Sequence, residues 1–375
     1  MSTDIIRVLD LRDSPWIDGP GRTILQCADM IDSSQCKIII GAFSGKSHKE
    51  HAYLNQAIKL NLEVVPITEN SSFDIGVVRQ INQAIRDNSI DIIHVHDFRS
   101  NLYGLICAKA MGIPIISTCH GWISNNMKGK LYTLLDRFLL RFHNKIITVS
   151  NTMKDQLVKS KFKEDRITVI NNALVVDDYI INRNNQKFRN EYFISKNKIV
   201  VANIGRLSPE KGQDIFLKSA KEILSKNNDL IFVLIGIGQE KERLTALVNQ
   251  LGITDNVIFT GYREDMIDIY NSVDLVVQSS STEGMPNVIL ESLLMGIPVI
   301  ATDVGGTSQI VQHRVNGFLI DAQDISALNR AMSEFVDNRD EFINMGLAGR
   351  EHIINNFNQD SRVDKLYTVY KSLIS

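Results

Sequence analysis

Short apolar runs rich in β-branched residues alternate with amphipathic helical patterns along most of this chain. This alternation is typical of parallel sheets that carry helices on both faces. The strands are predicted at Ile5–Leu9, Lys37–Gly41, Leu62–Pro66, Ile90–Val95, Pro114–Thr118, Lys145–Val149, Ile167–Ile170, Ile199–Asn203, Leu230–Ile235, Val257–Thr260, Leu275–Gln278 and Val299–Ala301. We therefore expect a doubly wound α/β architecture.

A polar, asparagine-rich segment from Val175 to Lys198 interrupts the alternation and is predicted to be a linker. The chain has 375 residues. Because a domain commonly takes roughly 100–200 residues, this length favours two domains. We predict a first domain over residues 1–175 and a second over residues 176–358, with a cleft between them.

Composition excludes several classes of protein. The formal net charge is −2, so no overall positive field is available to attract nucleic acid. The first ten residues hold no long apolar run, so no signal peptide is predicted, and no apolar run reaches the length of roughly 18 residues that a membrane span needs. Four cysteines at no paired spacing are expected to be buried apolar residues of a reducing compartment: Cys27, Cys36, Cys107 and Cys119.

Residues 279–299 carry the most specific pattern in the chain. They follow a predicted buried strand that ends at Gln278, and they open with a small and polar loop. Pro286 is predicted to be the first residue of a helix, because its ring fixes a helical φ and its missing N–H has no helical partner there. The helix should stop at Gly296. Loops at the carboxyl ends of parallel strands are where such sheets bind ligands.

This loop combines an anion site with two carboxylates. Backbone N–H groups from Met285 to Val288 are expected to face outward at the positive end of the helix dipole. Glu283 precedes the helix, and Glu291 lies inside it. A ligand with both phosphate and hydroxyl groups, such as a nucleotide sugar, would suit this combination. The alternative is that both carboxylates are solvated surface residues.

A second charged loop follows the strand predicted at Ile199–Asn203. It runs from Gly205 to Gly212 and contains Arg206 and Lys211. Arginine can bind two phosphate oxygens at once, whereas lysine acts as a point charge. Taken alone, each cation would be a solvated side chain. Together with the anion site of the same domain, the two cations predict binding of a diphosphate.

Glu283 and Glu291 stand in an E-x7-E spacing around Gly284, Met285, Pro286 and Asn287. This pattern resembles the signature of the retaining family-four glycosyltransferases, which have the GT-B fold. The resemblance implies two Rossmann-like, doubly wound parallel-sheet domains with an interdomain cleft. It implies that the first domain binds the acceptor and that the second binds a nucleotide sugar. It also implies that a last helix, over residues 359–375, crosses back to the first domain.

The resemblance further implies a role for each donor-site residue. Glu283 would contact the transferred sugar, and Glu291 the ribose. Arg206 and Lys211 would stabilise the charge that develops on the leaving diphosphate, without a divalent metal. The other donor-binding residues are Gly284, Met285, Pro286, Asn287 and Val288 at the helix entry, Tyr262 and Arg263 near the nucleobase, and Gly21 in a glycine-rich loop of the first domain. That loop departs from the family's commoner run of glycines followed by an acidic residue.

Histidines lie at two strand ends of the first domain. His94 and His96 alternate to one face of a strand, and Asp97 follows at its end. No third ligand is apparent nearby, so we expect a polar pocket floor and no metal. By the resemblance, His120 and Gly121 after the next strand face the acceptor and the transferred sugar. We assign His96, Asp97, His120 and Gly121 to the acceptor side.

A basic amphipathic helix is predicted from Met127 to Asn144. Its apolar residues are Leu131, Leu134, Leu135, Phe138, Leu139 and Phe142, and the flanking cations are Lys128, Lys130, Arg137, Arg141 and Lys145. We expect the apolar face to pack into the core. The alternative is peripheral contact with an anionic membrane, which an enzyme acting on a lipid-linked acceptor would require.

The sequence therefore predicts a metal-independent glycosyltransferase that transfers a sugar from a nucleotide-diphosphate sugar to a sugar or lipid-linked acceptor. We expect retention by front-face attack, a cytoplasmic location that includes the inner membrane face, a function in cell-envelope polysaccharide or glycolipid synthesis, and no cofactor besides the donor substrate. The predicted catalytic residues are His120, Arg206, Lys211 and Glu283. Two alternatives stay open: a nucleotide-sugar epimerase, and a non-catalytic sugar-nucleotide-binding protein of the same fold.

Overall fold

The computed structural model describes residues 5–44, 51–70, 74–122 and 127–374. Contacts between residues divide the chain into two compact units. The N-terminal unit runs to Ala173 and includes the end of the chain from Gln359 onward, whereas the C-terminal unit is Leu174–Asn358. The linker predicted from residue 175 therefore belongs to the C-terminal unit.

The strands of both units are short and parallel. They are β1 (Ile6–Arg12), β2 (Cys36–Ser44), β3 (Val64–Thr68), β4 (Ile92–Val95), β5 (Ile115–Cys119), β6 (Lys145–Thr148), β7 (Ile167–Val169), β8 (Ile199–Ile204), β9 (Leu230–Ile235), β10 (Val257–Gly261), β11 (Leu275–Gln278), β12 (Val299–Thr302) and β13 (Phe318–Ile320). The N-terminal sheet has the order β3-β2-β1-β4-β5-β6-β7, and the C-terminal sheet has the order β10-β9-β8-β11-β12-β13. All the pairings between these strands are parallel.

Helices connect the strands, as the alternating pattern predicts. They are α1 (Gly19–Met30), α2 (Ala52–Lys59), α3 (Ile75–Asp87), α4 (Phe98–Met111), α5 (Met127–Leu140), α6 (Asn151–Lys159), α7 (Lys187–Glu191), α8 (Gln213–Leu224), α9 (Lys241–Leu251), α10 (Met266–Tyr270), α11 (Asn287–Leu294), α12 (Thr307–Ile310), α13 (Ile325–Asp337), α14 (Arg339–Asn356) and α15 (Gln359–Ile374). The prediction of two doubly wound parallel-sheet units is confirmed.

The N-terminal sheet is buried on both faces because successive side chains of a strand point in opposite directions. Val8 belongs to a core cluster that includes residues of α1, α2 and α15. Its neighbour Leu9 belongs to a second cluster that includes residues of α3 and α4. Two apolar faces explain why these strands read as continuous apolar runs rather than as alternating patterns.

The strand order reverses between β1 and β4 in the first sheet and between β8 and β11 in the second. At such a switch point the flanking connections leave in opposite directions and open a crevice beyond the carboxyl ends of the strands. His96 and Asp97 follow β4, the loop of Arg206 and Lys211 follows β8, and Glu283 follows β11. The fold therefore places each set at the edge of a sheet where ligands bind.

The last helix, α15, is part of the N-terminal core. Val363, Leu366 and Tyr370 are buried in the same cluster as Val8. The guanidinium of Arg362 donates to the backbone carbonyl of Ile170 at 3.0 Å. The helix therefore covers one face of the N-terminal sheet.

Several predicted boundaries were wrong by a few residues. Gly21, which was predicted to lie in a glycine-rich loop, lies inside helix α1, because the helix begins at Gly19, where Asp18 caps it by accepting the N–H of Gly21. Helix α5 ends at Leu140 rather than at Asn144, because the next N–H groups bond three residues back and form a turn. Strand β13 was not predicted.

Candidate active site

The helix entry after β11 differs by one residue from the prediction. Pro286 is the N-cap of α11, with φ −76° and ψ 108°, so its backbone is extended rather than helical. Its carbonyl accepts the N–H of Ile289 at 3.1 Å and starts the helical ladder. Gly296 directly follows the C-cap and has φ 68°. This left-handed conformation ends the helix at Gly296, as the sequence predicted.

Glu283 is held at the carboxyl edge of the C-terminal sheet by three donors. Its Oε1 accepts from Nζ of Lys211 at 2.6 Å, from Oγ of Ser280 at 2.7 Å and from Nε2 of Gln278 at 3.3 Å. The interpretation of Glu283 as a solvated surface residue is therefore wrong, because only 11% of its side chain is exposed.

Glu291 is also buried, with 7% of the residue exposed. The hydroxyl of Tyr270 donates to its Oε2 at 2.7 Å. Tyr270 is fully buried at the end of α10, so the carboxylate is fixed from the side of a neighbouring helix. The alternative of a solvated Glu291 is wrong as well.

The loop after β8 joins the loop after β11. Oγ of Ser279 donates to the carbonyls of Lys211 and Gly212, at 3.1 and 2.9 Å. Gly212 has φ 63°, and a Cβ there would collide with the carbonyl oxygen of Ser279. A glycine is therefore required where the two backbones meet.

Arg206 and Lys211 occupy different environments within this loop. The side chain of Arg206 is 60% exposed, and its guanidinium donates to Oε1 of buried Glu210 at 3.1 Å. The ammonium of Lys211 is partly buried against Glu283. The guanidinium of Arg206 therefore faces solvent, whereas the ammonium of Lys211 is paired with Glu283. Both residues lie in the loop after β8.

Two further predicted donor residues lie after β10. Tyr262 is 59% exposed, whereas the guanidinium of Arg263 is bound by Glu191 and Asp265. These hydrogen bonds raise the pKa of Arg263, and the bonds that it donates to Glu191 contribute most. The guanidinium of Arg263 is thus hydrogen-bonded to nearby carboxylates, and neither Lys211 nor Glu283 is among these partners.

Gly21 lies at the start of α1, where Asp18 caps the helix. The guanidinium of Arg12 donates to Oδ1 of Asp18 at 2.5 Å. A Cβ at position 21 would collide with this guanidinium, so the loop closes tightly over Arg12. Arg12 was not predicted as part of this loop.

A polar cluster lies at the carboxyl edge of the N-terminal sheet. Oδ2 of Asp10 lies 2.8 Å from Nε2 of His96, and Nδ1 of His96 lies 3.1 Å from Nε2 of His120. His94 is hydrogen-bonded to the hydroxyls of Tyr370 at 2.7 Å and of Thr118 at 2.8 Å. The histidines predicted at two strand ends therefore meet in one cluster.

The expectation that no third metal ligand lies near the His-x-His pair was wrong. Asp10 on β1 is paired in register with His94 on β4, and the ligand atoms of Asp10, His94 and His96 lie within 4.8 Å of one another. This spacing is close enough for a metal ion. Both ring nitrogens of each histidine, however, already lie within hydrogen-bond distance of protein groups.

Burial sets the charge of this cluster. It raises the pKa of Asp10 to about 6 and lowers the pKa of His94 to about 3. It also lowers the pKa values of His96 and His120 well below the ordinary range. At neutral pH the cluster therefore contains one ionised carboxylate and three neutral imidazoles.

The four acceptor-side residues predicted from the sequence line one cavity of about 290 Å³. They are His96, Asp97, His120 and Gly121. Asp97 also caps α4, where its side chain accepts the N–H of Ser100 at 2.9 Å. The cavity therefore lies where α4 begins and β5 ends.

Two models of known families match this chain. One, described as glycosyl transferases group 1, matches residues 184–352, and the other, described as glycosyltransferase family 4, matches residues 17–178. Together they span both units. The chain belongs to the group 1 glycosyltransferases of family four.

Relatives of this glycosyltransferase include UDP-Gal:alpha-D-GlcNAc-diphosphoundecaprenol alpha-1,3-galactosyltransferase of Escherichia coli, at 26% identity over 98% of this chain and 97% of that protein. N-acetyl-alpha-D-glucosaminyl L-malate synthase of Bacillus anthracis is 26% identical over 80% of each chain. Among solved structures, Anabaena HepE in complex with UDP and glucose aligns with a TM-score of 0.87, 21% identity and coverage of 98% of this chain and 100% of that one. The glycosyltransferase has the GT-B fold and uses a nucleotide-sugar donor.

The sequence analysis missed three residues that line the cavity of His96 and His120: Asn101, Trp122 and Asp136. Nε1 of Trp122 donates to Oδ2 of Asp136 at 2.8 Å, and Nδ2 of Asn101 donates to Oδ1 of the same carboxylate at 2.7 Å. Arg137 lies over the Trp122 ring, with its guanidinium carbon 4.5 Å from the ring centre. The single acidic residue in an otherwise basic helix was the signal that could have identified Asp136.

The expectation that the apolar face of α5 packs into the core was wrong. Asp136 and Leu140 are the buried residues of this helix. The exposed apolar residues in and just after α5 are Met127, Leu131, Leu134, Leu135, Phe138 and Phe142, whereas Leu139 is half-buried. Lys130 and Arg141 are exposed beside them, and the side chain of Lys128 lies outside the described residues. In the described part of the chain no helix is both long and apolar enough to cross a bilayer.

Proposed function

We propose that this glycosyltransferase transfers a hexose from a UDP-sugar to the sugar of a diphosphate-linked lipid in cell-envelope polysaccharide synthesis. The E. coli relative is named for such a reaction, and a Staphylococcus aureus relative, 25% identical over 74% of this chain and 75% of that protein, is named for capsular polysaccharide biosynthesis. The observation that carries the proposal is the joined pair of loops in which Lys211 meets Glu283 beside the start of α11.

The donor diphosphate is bound by Arg206, Lys211 and the N-terminus of α11, and the helix dipole favours the negative charge there. Glu283 accepts hydrogen bonds from hydroxyls of the transferred sugar, and Glu291 accepts hydrogen bonds from hydroxyls of the ribose. The backbone from Gly284 to Val288 borders the sugar and the diphosphate.

The nucleobase lies beside the backbone at Tyr262 and Arg263, where the exposed ring of Tyr262 is available for contact. Each of these contacts supplies orientation rather than chemistry, since a nucleotide held at its base and ribose presents its diphosphate in one position.

Two fixed cations stabilise the negative charge that grows on the diphosphate as its bond to C1 of the sugar breaks. They provide the charge that a divalent metal supplies in other transferases, so we propose transfer without a metal. An acceptor hydroxyl forms the new bond to C1 on the face that the phosphate leaves, and its proton passes to the departing phosphate oxygen. Attack on this face retains the anomeric configuration.

The acceptor sugar occupies the cavity lined by His96, Asp97, His120 and Gly121, and a carboxylate and a tryptophan complete its wall. Aromatic rings and carboxylates together suit a sugar, because its C–H faces pack on rings and its hydroxyls donate to oxygens.

The exposed apolar face of α5 adds a membrane surface to this site. Leu134 and Phe138 are 66% and 57% exposed, and Lys130 is exposed beside them. Apolar side chains flanked by cations suit the boundary of an anionic bilayer. We therefore place the enzyme at the inner face of the membrane, where it reaches a lipid-linked acceptor without spanning the bilayer.

The deciding experiment is calorimetric titration of the purified chain with UDP, GDP and ADP, with and without EDTA. Binding of UDP alone, unchanged by EDTA, is expected. Transfer from UDP-glucose, UDP-galactose and UDP-N-acetylglucosamine to a synthetic diphosphate-linked acceptor follows, and the anomeric coupling of the product shows whether configuration is retained. Failure to bind any nucleotide would refute the donor site, and donor conversion without acceptor would favour an epimerase.

A further inference from the structure

We propose that Asp10 and His96 are positioning residues that fix the tautomer of His120, so that Nδ1 of His120 accepts a hydrogen bond from a hydroxyl of a bound sugar. The role in catalysis rests on the proposed function, whereas the tautomer itself rests on the contacts and the charges of groups within the N-terminal unit. The three groups form one continuous chain, from the carboxylate through the first imidazole to the second.

The direction of hydrogen bonding along Asp10, His96 and His120 follows from the carboxylate at one end. Asp10 is ionised at neutral pH, and an ionised carboxylate can only accept hydrogen bonds. The contact of 2.8 Å between Oδ2 of Asp10 and Nε2 of His96 therefore places the proton of His96 on Nε2. A neutral imidazole carries one proton, so Nδ1 of His96 is an acceptor.

The second contact then fixes the proton of His120. Nε2 of His120 lies 3.1 Å from Nδ1 of His96, and since that nitrogen accepts, Nε2 of His120 must donate. The rings of His96 and His120 stack with centroids 5.4 Å apart and planes 27° apart, which holds this alignment. The remaining nitrogen of His120, Nδ1, therefore has a lone pair and no proton.

Nδ1 of His120 is a buried acceptor without a hydrogen-bond partner among the described residues. A buried polar atom in this state costs on the order of 1–3 kcal/mol, so native proteins rarely leave one unless a ligand or water completes it. His120 lines the cavity of about 290 Å³ that we assign to the acceptor sugar. A sugar hydroxyl donated to Nδ1 would satisfy this atom.

The groups around Asp10, His96 and His120 do not reverse the direction of these hydrogen bonds. His94 is occupied by the hydroxyls of Tyr370 and Thr118, and Arg12 and Arg362 are the nearby cations. Positive charge beside these imidazoles opposes their protonation and supports the ionised form of Asp10. Both effects preserve the state in which Asp10 accepts and both imidazoles are neutral.

The test is a two-dimensional NMR spectrum that correlates the nitrogens of ¹⁵N-labelled histidines with their ring protons, with His120 assigned through His120→Gln. We expect a protonated Nε2 and an unprotonated Nδ1 for His120 in the unaltered chain at pH 7.5. Adding UDP-galactose or the diphosphate-linked acceptor should move the Nδ1 resonance. A proton on Nδ1 in the unaltered chain would overturn the proposal without any variant.

Asp10→Asn provides the second arm, since an amide can donate as well as accept and no longer fixes the chain. We expect signals of both His120 tautomers, kcat reduced at least about tenfold, and UDP affinity unchanged within about twofold. Asp91→Asn is the matched control, because Asp91 lies at the amino end of β4, opposite the histidine cluster, and its Oδ2 accepts the N–H of Arg7 at 2.8 Å. It should leave the His120 tautomer and kcat unchanged.

The outcomes separate this proposal from the proposed function. If the unaltered chain neither binds UDP nor transfers sugar, the function fails while the tautomer is still measured. If it binds and transfers, but Asp10→Asn keeps both the single tautomer and the original kcat, the positioning role is wrong. If Asp10→Asn does not fold, His96→Gln replaces it, and the spectrum of the unaltered chain still decides the tautomer.

Discussion

Nζ of Lys211 lies 2.6 Å from Oε1 of Glu283, although the two residues are separated by 72 positions in the sequence. The pair joins the loop after β8 to the loop after β11. Both side chains are largely buried, with 24% of the lysine side chain and 11% of the glutamate side chain exposed. The cation proposed for the diphosphate and the carboxylate proposed for the sugar are therefore oriented by each other before any ligand binds.

Removing either cation proposed to bind the diphosphate should lower the rate of sugar transfer much more than it lowers the stability of the fold. Lys211→Ala and Arg206→Ala are each expected to lower kcat by about 10²–10³-fold, because each removes one charge that stabilises the leaving diphosphate. Initial rates with UDP-sugar and acceptor measure this effect. Lys218→Ala is the matched control, since Lys218 forms a partly exposed pair with Asp214 in the same unit and should change little. Unchanged rates in both site variants would show that the donor site is wrong.

The glycine at the junction of the two loops can be tested against an equivalent glycine elsewhere. Gly212 and Gly252 have nearly the same φ, 63° and 66°, but only Gly212 has a backbone atom where a Cβ would be placed. Both alanine variants should lose about 1–2 kcal/mol of stability from the left-handed conformation. Gly212→Ala should in addition displace Lys211 and lower UDP affinity at least about tenfold, because a buried charged pair is disrupted. Equal UDP affinity in the two variants would contradict the inference that the close approach of Gly212 to the backbone of Ser279 positions Lys211.

Glu291 should determine recognition of the ribose. Glu291→Gln is expected to weaken UDP binding by about tenfold or more, since hydrogen bonds to a charged acceptor contribute about 1.5–3 kcal/mol. It should also narrow the preference for UDP over 2′-deoxy-UDP in parallel titrations. Tyr270→Phe, which frees the carboxylate, should give a smaller loss, and Glu242→Gln on α9 should give none. A preserved preference for UDP in Glu291→Gln would exclude the ribose contact.

Membrane contact by α5 predicts a change in sedimentation with vesicles. The chain should pellet with vesicles that contain phosphatidylglycerol and much less with phosphatidylcholine alone. The double variant Leu134→Ser and Phe138→Ser should reduce binding at least about tenfold, because full burial of each such side chain contributes roughly 1.5–3 kcal/mol.

The matched control for the membrane test is Ile343→Ser with Leu347→Ser. These two apolar residues of α14 are 46% and 55% exposed in the C-terminal unit, and their loss should leave vesicle binding intact. Lys130→Glu should weaken binding to the anionic vesicles specifically. Equal pelleting by the α5 double variant and the unaltered chain would remove the membrane surface from the proposal.

His143 should make stability depend on pH below neutrality. Burial lowers its pKa to about 4, whereas the unfolded chain takes up the proton near pH 6.5. Stability is therefore lost as pH falls from about 6.5 towards 4, by roughly 2 kcal/mol between pH 7 and pH 5 for this group. Urea unfolding at these two pH values should show a smaller loss for His143→Gln. His313→Gln, which alters an exposed histidine, should behave like the unaltered chain.

The arrangement of the sheets and the donor loops could be predicted from the sequence because both depend on local patterns. Strands buried on two faces leave continuous apolar runs, and the carboxyl ends of neighbouring parallel strands meet at one edge. The loops that contain Lys211 and Glu283 follow β8 and β11, which are adjacent in the sheet. Their proximity therefore needs only the strand order typical of this architecture.

The rest depended on register and orientation, which local patterns do not contain. Asp10 lies inside a strand, and only the pairing of β1 with β4 places it beside His94. The amphipathic pattern of α5 shows which residues share a face but not whether that face meets protein or solvent. Buried Asp136 turns the apolar face outward, because its carboxylate is held from inside by Trp122 and Asn101.

Helix α15 follows the whole C-terminal unit in the chain, yet it supplies one face of the first unit's core. The C-terminal unit therefore leaves the ribosome with its whole sequence before the N-terminal unit does. Until α15 emerges, the apolar residues of the first sheet that it covers lack their partner, and His94 lacks the hydroxyl of Tyr370. A chain that stops before α15 would thus contain a complete C-terminal unit attached to an N-terminal unit that lacks part of its core.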